Sequence, residues 1–255
     1  MDSRKNPEFI MKKGPIIAVI PARYASTRFP GKPLAPLHGK PLLQWVWEGA
    51  TQSQLIDRVI VATDDDRILL AAKNFGAEVK KTKITHLSGT DRIAEVIAST
   101  EADWVINVQG DEPMIHGSLL DQWIERFDPN YGMTTVATPL PDPSDLQKSD
   151  VVKVSFEAQG RAIGFRRQVP VAEASHWRHQ HVGLYAYTPA TLQKFVSLPP
   201  SLGEQREKLE QLRALENGIA IQVIPLTFLS VGVDTPGDVS RAERALANRA
   251  ATVSK

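Results

Sequence analysis

A mostly parallel α/β sheet with helices on both faces is the fold class that the sequence predicts, and three observations predict it. Short apolar runs alternate with amphipathic helical stretches through the first half of the chain, the order that arises when parallel strands are joined through helices. The first run, 15–21, is apolar throughout rather than alternating, as a strand covered on both faces requires. Polar segments follow Pro21, Ala62 and Val108. Open α/β sheets bind ligands at the carboxyl ends of their strands, so these loops are expected to converge on one cleft.

The elements follow in order. After the strand at 15–21 comes a Pro/Gly-rich loop, 22–39, and then a helix at 41–52 with Leu42, Leu43, Val46 and Ala50 on one face. A strand is expected at 58–62 and a helix at 66–75, stopped by Gly76 in the usual C-cap position. A short strand at 78–82, a helix at 91–99 and a buried strand at 104–108 complete the first half. The second half changes character. Strands at 133–139, 151–156, 161–165 and 181–188 have few helical signals between them, which predicts antiparallel pairing. One long amphipathic helix is expected over 204–217, closed by Gly218, then a strand at 219–225 and a last helix at 236–248. No repeat or linker is visible, so 15–250 reads as a single domain with an insertion lobe at about 132–200. Residues 1–14 read as a disordered leader.

Composition narrows the function classes. The chain has 255 residues, 42% of them hydrophobic, enough for a sizeable core. Lys and Arg number 30 against 29 Asp and Glu, a balance that argues against nucleic acid as a partner. The absence of cysteine removes disulfides, thiolate catalysis and cysteine-held metal, and is compatible with a reducing cytoplasm. No apolar run approaches ~18 residues, so no membrane insertion is expected. The apolar run at 16–20 is too short for a secretory signal. The six histidines show no paired metal-ligand spacing, which argues against zinc.

The loop after the first strand carries Arg23, Arg28 and Lys32 within ten residues, stiffened by Pro30 and Pro33 and opened by Gly31. A nucleoside triphosphate bears about four negative charges; guanidinium forks and an ammonium are suited to it. The alternative is a solvated basic loop. The loop matches neither a P-loop nor a dinucleotide fingerprint. Asp111 follows the strand at 104–108 and Asp234 follows a short apolar run. Magnesium favours one or two carboxylates completed by phosphate oxygens and water. Asp111 is equally suited to a turn, and Asp234 or Thr235 to a helix cap before Pro236. Ser88 to Thr90 fit a nucleotide-contacting turn or a plain helix cap. His181 and Tyr185 share a strand face, and Glu207, Glu210 and Gln211 share a helical stripe that is ordinarily solvated.

Taken together in this order, the motifs resemble those of the 3-deoxy-manno-octulosonate (Kdo) cytidylyltransferases. They are Pro21-Ala-Arg-x-x-Ser-x-Arg-Phe-Pro-Gly-Lys-Pro33, Ala62-Thr-Asp-Asp65, Ser88-Gly-Thr-x-Arg92, Asn107-Val-Gln-Gly-Asp-Glu-Pro113, His181-x-Gly-x-Tyr185, Leu209-Glu-Gln-Leu-Arg-x-Leu-Glu216 and Val233-Asp-Thr-Pro236. The resemblance runs from Ile16 to about Ala247. It implies a Rossmann-like nucleotidyltransferase fold, usually homodimeric, that joins CMP from CTP to an acidic keto-sugar for lipopolysaccharide synthesis. It implies that Arg23, Ser26, Arg28 and Lys32 hold the CTP phosphates, that Ser88, Arg92 and Gln109 seat the nucleotide, and that Asp111 and Asp234 bind Mg²⁺. Arg23, Lys32, Asp111 and Asp234 would be the catalytic set. His181, Tyr185, Glu210 and Gln211 would contact the sugar, with Arg167 or Arg166 nearest its carboxylate. The segment Ala162-Ile-Gly-Phe-Arg-Arg167 departs from the family's usual Ala-Leu-Tyr-Phe-Ser-Arg. Arg166 there either adds a second positive charge for the sugar or pairs with a surface acid.

Overall fold

The computed structural model describes residues 14–140 and 142–253; the leader expected over 1–14 lies outside them apart from Gly14. The first half supplies β1 (Ile16–Ala22), a two-residue hairpin of β2 (Pro36–Leu37) and β3 (Lys40–Pro41), α1 (Leu42–Thr51), β4 (Arg58–Thr63), α2 (Asp66–Asn74), β5 (Glu78–Lys81), α3 (Gly89–Ile97) and β6 (Trp104–Asn107). Then come α4 (Gly117–Ile124), β7 (Met133–Pro139), β8 (Lys153–Phe156), β9 (Ala162–Arg166), β10 (His179–Tyr187), α5 (Pro189–Ser197), α6 (Leu202–Glu207), α7 (Gln211–Glu216), β11 (Ile221–Pro225) and α8 (Val239–Val253).

The main sheet runs β11-β7-β10-β6-β1-β4-β5. β6, β1, β4 and β5 are mutually parallel, and β11 is parallel to β7. β10 is antiparallel to both its neighbours, β6 and β7. The hairpin β8–β9 branches off β10. Of the segment 132–200 expected to form a lobe, β7 and β10 therefore pair inside the main sheet, and the β8–β9 hairpin projects from it. The parallel register brings the carboxyl ends of β1, β4 and β6 to one edge, with Ala22 beside Thr63 and Val19 beside Asn107.

Alternate residues of β1 divide the core. Ile16, Ala18 and Ile20 face α1, α2 and α4 through Leu43, Val46, Ile68, Leu120 and Trp123. Ile17 and Val19 face α3, α5 and α7 through Ile93, Val96, Leu192, Phe195 and Leu212. A third cluster seats α8, through Ala242, Ala245 and Leu246, on Leu37, Leu42, Met114, Val231 and Val233. Burial on both faces is why the first strand reads as one apolar run.

Three local differences from the sequence expectation have physical causes. The α4 helix was not anticipated; its cap is His116, whose Nδ1 accepts from Leu119 N at 3.3 Å, in place of the usual hydroxyl or carboxylate. The α5 helix, starting on Thr188 and Pro189, also interrupts a stretch read as strand-rich. The helix expected over 204–217 is two helices, because Lys208 adopts a left-handed backbone, φ 55° and ψ 45°.

Candidate active site

The loop after β1 is closed on a single carbonyl: Tyr24 O accepts from both Ser26 N and Gly31 N at 2.9 Å. Gly31 has φ 73°, and a Cβ there would lie 3.1 Å from the Tyr24 ring, so this turn requires glycine. Ser26 Oγ accepts from Phe29 N at 3.3 Å. Arg23, Ser26, Arg28 and Lys32 line a cleft of about 360 Å³ whose far wall is Gly89, Gln109 and Asp111.

Asp111, which lines that cleft, and Asp234 meet on the Lys32 ammonium. Lys32 Nζ lies 2.6 Å from Asp111 Oδ2 and 3.3 Å from Asp234 Oδ1, and Arg28 Nη2 donates to Asp234 Oδ1 at 3.0 Å. Val233 N donates to Asp111 O at 2.9 Å, tying the two segments together. The helix-capping work beside Asp234 falls to Asp238, whose Oδ2 takes Asp234 N, Thr235 N and the Thr235 hydroxyl. Asp234 thus keeps its carboxylate for Lys32 and Arg28, two cations that line the cleft. The two carboxylates share one cationic nitrogen, an arrangement that fits a hard divalent cation completed by phosphate oxygens. Next to them stands Glu112, which sequence reasoning passed over although it belongs to the same motif. Burial, with Asp111 nearby, pushes its carboxyl up to about 8, and Ser230 Oγ donates to it at 3.0 Å.

A second cavity, about 590 Å³, shares Arg23, Gly89 and Gln109 with the first. Its wall includes Ser88, Thr90, Asn107, Glu204, Lys208 and Glu210. Ser88 caps α3 in a reciprocal pair with Asp91 and also faces the cavity, so its two expected roles coexist. Gln109 is held by Asn107, its Nε2 donating to Oδ1 at 3.2 Å. Arg92 is fully buried behind this wall, bonded to the Thr82 hydroxyl and 3.0 Å from Asp64. It has no surface for a ligand, and anything it does for a nucleotide acts through α3.

Near this cavity the structure brings β10 and α7 together. Thr90 Oγ1 donates to Glu210 Oε2 at 2.7 Å, while Glu210 Oε1, 3.8 Å from Arg213 Nη2, and the buried Gln211 Nε2 have no hydrogen-bond partner among the described residues. Burial pushes the Glu210 carboxyl up, and the Tyr185 phenol, buried and close to Glu210, is pushed well up. His181 packs against Phe165 and Tyr185, with ring centroids 5.0 and 5.4 Å away, despite a register shift in β10 between Val182 and Tyr185. Thr135 gives its one hydroxyl proton to Leu184 O at 2.7 Å, so His181 Nε2, 3.0 Å away, must donate to Thr135 Oγ1. Burial depresses this imidazole to about 3, so it is neutral near pH 7.

The two arginines of the departing segment are engaged elsewhere. Arg166 pairs with Glu173 at 2.7 Å and stacks over Trp177. Trp177 also lies beside Gly164, 3.4 Å from where a Cβ would be. Arg167 donates to three carbonyls, Glu207 O at 2.6 Å, Ser149 O at 2.8 Å and Lys208 O at 3.2 Å. Neither lines the two cavities. Glu207, expected on one stripe with Glu210 and Gln211, is separated from them by the Lys208 turn and accepts from Arg167 N at 3.4 Å.

Comparison with known proteins agrees with this architecture. A cytidylyltransferase family model matches residues 17–221. A 3-deoxy-manno-octulosonate cytidylyltransferase of Syntrophotalea carbinolica is 46% identical, over 89% of this chain and 97% of that protein. Its counterpart in Geobacter metallireducens is 43% identical, over 89% and 95%. The solved structure of a CMP:2-keto-3-deoxy-manno-octonic acid synthetase complexed with CTP aligns with TM-score 0.86 at 38% identity, over 92% of this chain and 99% of that one. An inositol-1-phosphate CTP transferase from T. maritima, at 15% identity and TM-score 0.68 over 91% and 94%, shares the fold. With a family model across most of its length and relatives this similar over nearly all of it, the chain belongs to the 3-deoxy-manno-octulosonate cytidylyltransferase family.

Proposed function

We propose that this chain transfers CMP from CTP to the anomeric hydroxyl of Kdo, releasing pyrophosphate, as a cytoplasmic and homodimeric enzyme of lipopolysaccharide synthesis. The observation that carries this reading is the meeting of Asp111 and Asp234 on Lys32, at the mouth of a basic loop, beside a second cavity that shares Gln109. Two adjoining compartments suit two substrates, one a triphosphate. The sugar oxygen attacks the α-phosphorus; the new P–O bond replaces the bond to the pyrophosphate, and the hydroxyl proton passes to solvent. Most of the acceleration in such a transfer comes from positioning and charge neutralisation. Arg23, Arg28 and Lys32 would hold the phosphates, with Ser26 holding the loop's shape. Asp111 and Asp234 would hold Mg²⁺, which when bound neutralises the α-phosphate and lowers the pKa of the attacking hydroxyl. Gln109 and Ser88 would face the nucleotide. Glu210, Gln211, Tyr185 and the neutral His181 would face the sugar as hydrogen-bonding groups rather than as charges, Glu210 excepted.

The test is pyrophosphate release measured with CTP, UTP, ATP and GTP against Kdo, related keto-sugar acids and neutral sugars. Release confined to CTP with a 3-deoxy keto-sugar acid, and abolished by chelation of divalent metal, is the expected result. Equal release with neutral sugars, or with any triphosphate, overturns the reading. Sedimentation of the purified chain checks the dimer.

A further inference from the structure

An acidic sugar needs a cation for its carboxylate, and the residues first expected to supply one are occupied: Arg166 by Glu173, Arg167 by three backbone carbonyls. The cations that line the two cavities are Arg23, Arg28 and Lys32, all on the loop after β1, and Lys208. The loop's three charges are matched to a triphosphate and to the paired aspartates. Lys208 stands at the other end, on the wall that also carries Glu210.

Its backbone is unusual for its side chain. Lys208 and His38 are the two non-glycine residues with positive φ among those described. Glycine is the residue that fits such a helix end without steric cost. The last bond of α6, from Lys208 N to Glu204 O at 2.8 Å, closes the helix, and from outside it Arg167 grips the carbonyls of Glu207 and Lys208. The Lys208 ammonium has no hydrogen-bond or ion-pair partner among the described residues. Strained backbone that the surroundings enforce is characteristic of ligand-binding positions.

We propose that Lys208 is the specificity-determining cation for the carboxylate of the sugar acid, and that Arg167 positions it by holding the left-handed turn. This rests on the reading of the second substrate as an acidic sugar. A lysine at a helix C-terminus is also favoured by the helix dipole, so the decisive readout is one that a dipole does not move.

Three variants of the full chain, Lys208→Gly, Lys208→Gln and Lys208→Arg, are compared with wild type for CTP-dependent pyrophosphate release from Kdo and from its methyl ester. Lys208→Gly relieves the backbone strain and should melt at or above the wild-type temperature. Its KM for Kdo should nevertheless rise about tenfold or more, the loss expected for a charge-assisted hydrogen bond, while KM for CTP stays within about twofold. Lys208→Gln should behave likewise, and Lys208→Arg should recover most of the sugar affinity. Wild type should prefer the acid to the ester, and both neutral variants should lose that preference. An unchanged KM for Kdo in the Gly and Gln variants, with wild type still acid-selective, overturns the role of Lys208 alone. Wild type that uses acid and ester equally overturns the acidic-sugar reading together with it.

Discussion

Lys32 shows how much of the proposed chemistry rests on single side chains: its ammonium stands between two carboxylates that belong to distant parts of the chain. Replacing Asp111 by Asn keeps the shape and removes one charge. The kcat of Asp111→Asn should fall by at least ~10²-fold, comparable to losing a main electrostatic stabiliser; activity within about threefold of wild type would remove Asp111 from the metal site. CTP at a hundred times its Kd should stabilise the fold by about 2.7 kcal/mol, and Lys32→Ala should shrink that shift at the same CTP concentration. His181 carries a pH signature. Its imidazole is depressed from 6.5 to about 3 by burial, so the unfolded chain binds the proton first as pH falls. The stability this residue contributes is complete above about 6.5 and is lost between about 6.5 and 3, with a slope approaching ~1.4 kcal/mol per pH unit. Glu210, pushed up, works in the opposite sense above its ordinary range. Denaturant unfolding of His181→Asn and wild type at pH 7 and pH 5 isolates the histidine share: the variant should lose less stability on acidification. The convergence of Arg23, Lys32 and Asp111 was legible in the sequence because the loops after β1 and β6 leave one sheet edge, whereas Asp234 reaches them from a segment outside the sheet. Glu112 and Lys208 were not legible, because burial of the first and the backbone of the second depend on residues far along the chain.

At the scale of elements, the loop after β1 and the α6–α7 turn share a design in which a distant side chain fixes a local bend. Arg67, at the start of α2, is clamped by both oxygens of Asp65, at 3.0 and 2.6 Å, and lies 3.2 Å above the centre of the Tyr24 ring. The Tyr24 carbonyl in turn closes the loop. Losing the ring should loosen the loop without unfolding the protein. Tyr24→Leu should raise KM for CTP severalfold, the scale of a cation–π contact, and leave KM for the sugar alone; Tyr24→Phe should be near wild type. Equal KM for CTP in all three proteins would show that Gly31 and the backbone bonds hold the loop unaided. The alternation of the main strands and helices up to β6, the parallel half of the sheet and the capping of α2 and α3 could be read from apolar runs and local caps. The break between α6 and α7 could not, since Leu209, Leu212 and Ala214 continue a helical apolar pattern and the turn is enforced by Arg167, about forty residues away in sequence. The helix α4 was passed over although Leu119, Leu120, Trp123 and Ile124 stand at helical spacing and are among the residues it buries; its histidine cap, outside the usual set, hid its start.

Across the whole molecule, the proposed catalytic centre exists only when the chain's end has returned to its middle. Asp111 is fixed by the parallel half of the sheet, through Val108 N on Val19 O. Asp234 is carried by the segment between β11 and α8, seated through Val231 and Val233 on the cluster formed with Leu37, Leu42 and Met114. The bond from Val233 N to Asp111 O is the backbone link between the two, while Lys32 and Arg28 bridge their side chains. Local opening of such a returning segment costs less than global unfolding, so ligands that need both carboxylates must hold it shut. Adding CTP with Mg²⁺ at a hundred times Kd should therefore slow amide exchange at Val233 by up to ~10²-fold, the factor that ligand stabilisation of about 2.7 kcal/mol allows. Amides of β4, remote from this link, should change far less unless they exchange by global unfolding. Asp111→Asn should abolish most of the slowing, because one carboxylate no longer ties the bound ligand to the sheet. Equal protection of Val233 in wild type and Asp111→Asn would show that the two aspartates do not act as a pair, and would leave Asp234 with its ion pairs to Arg28 and Lys32 as its whole function.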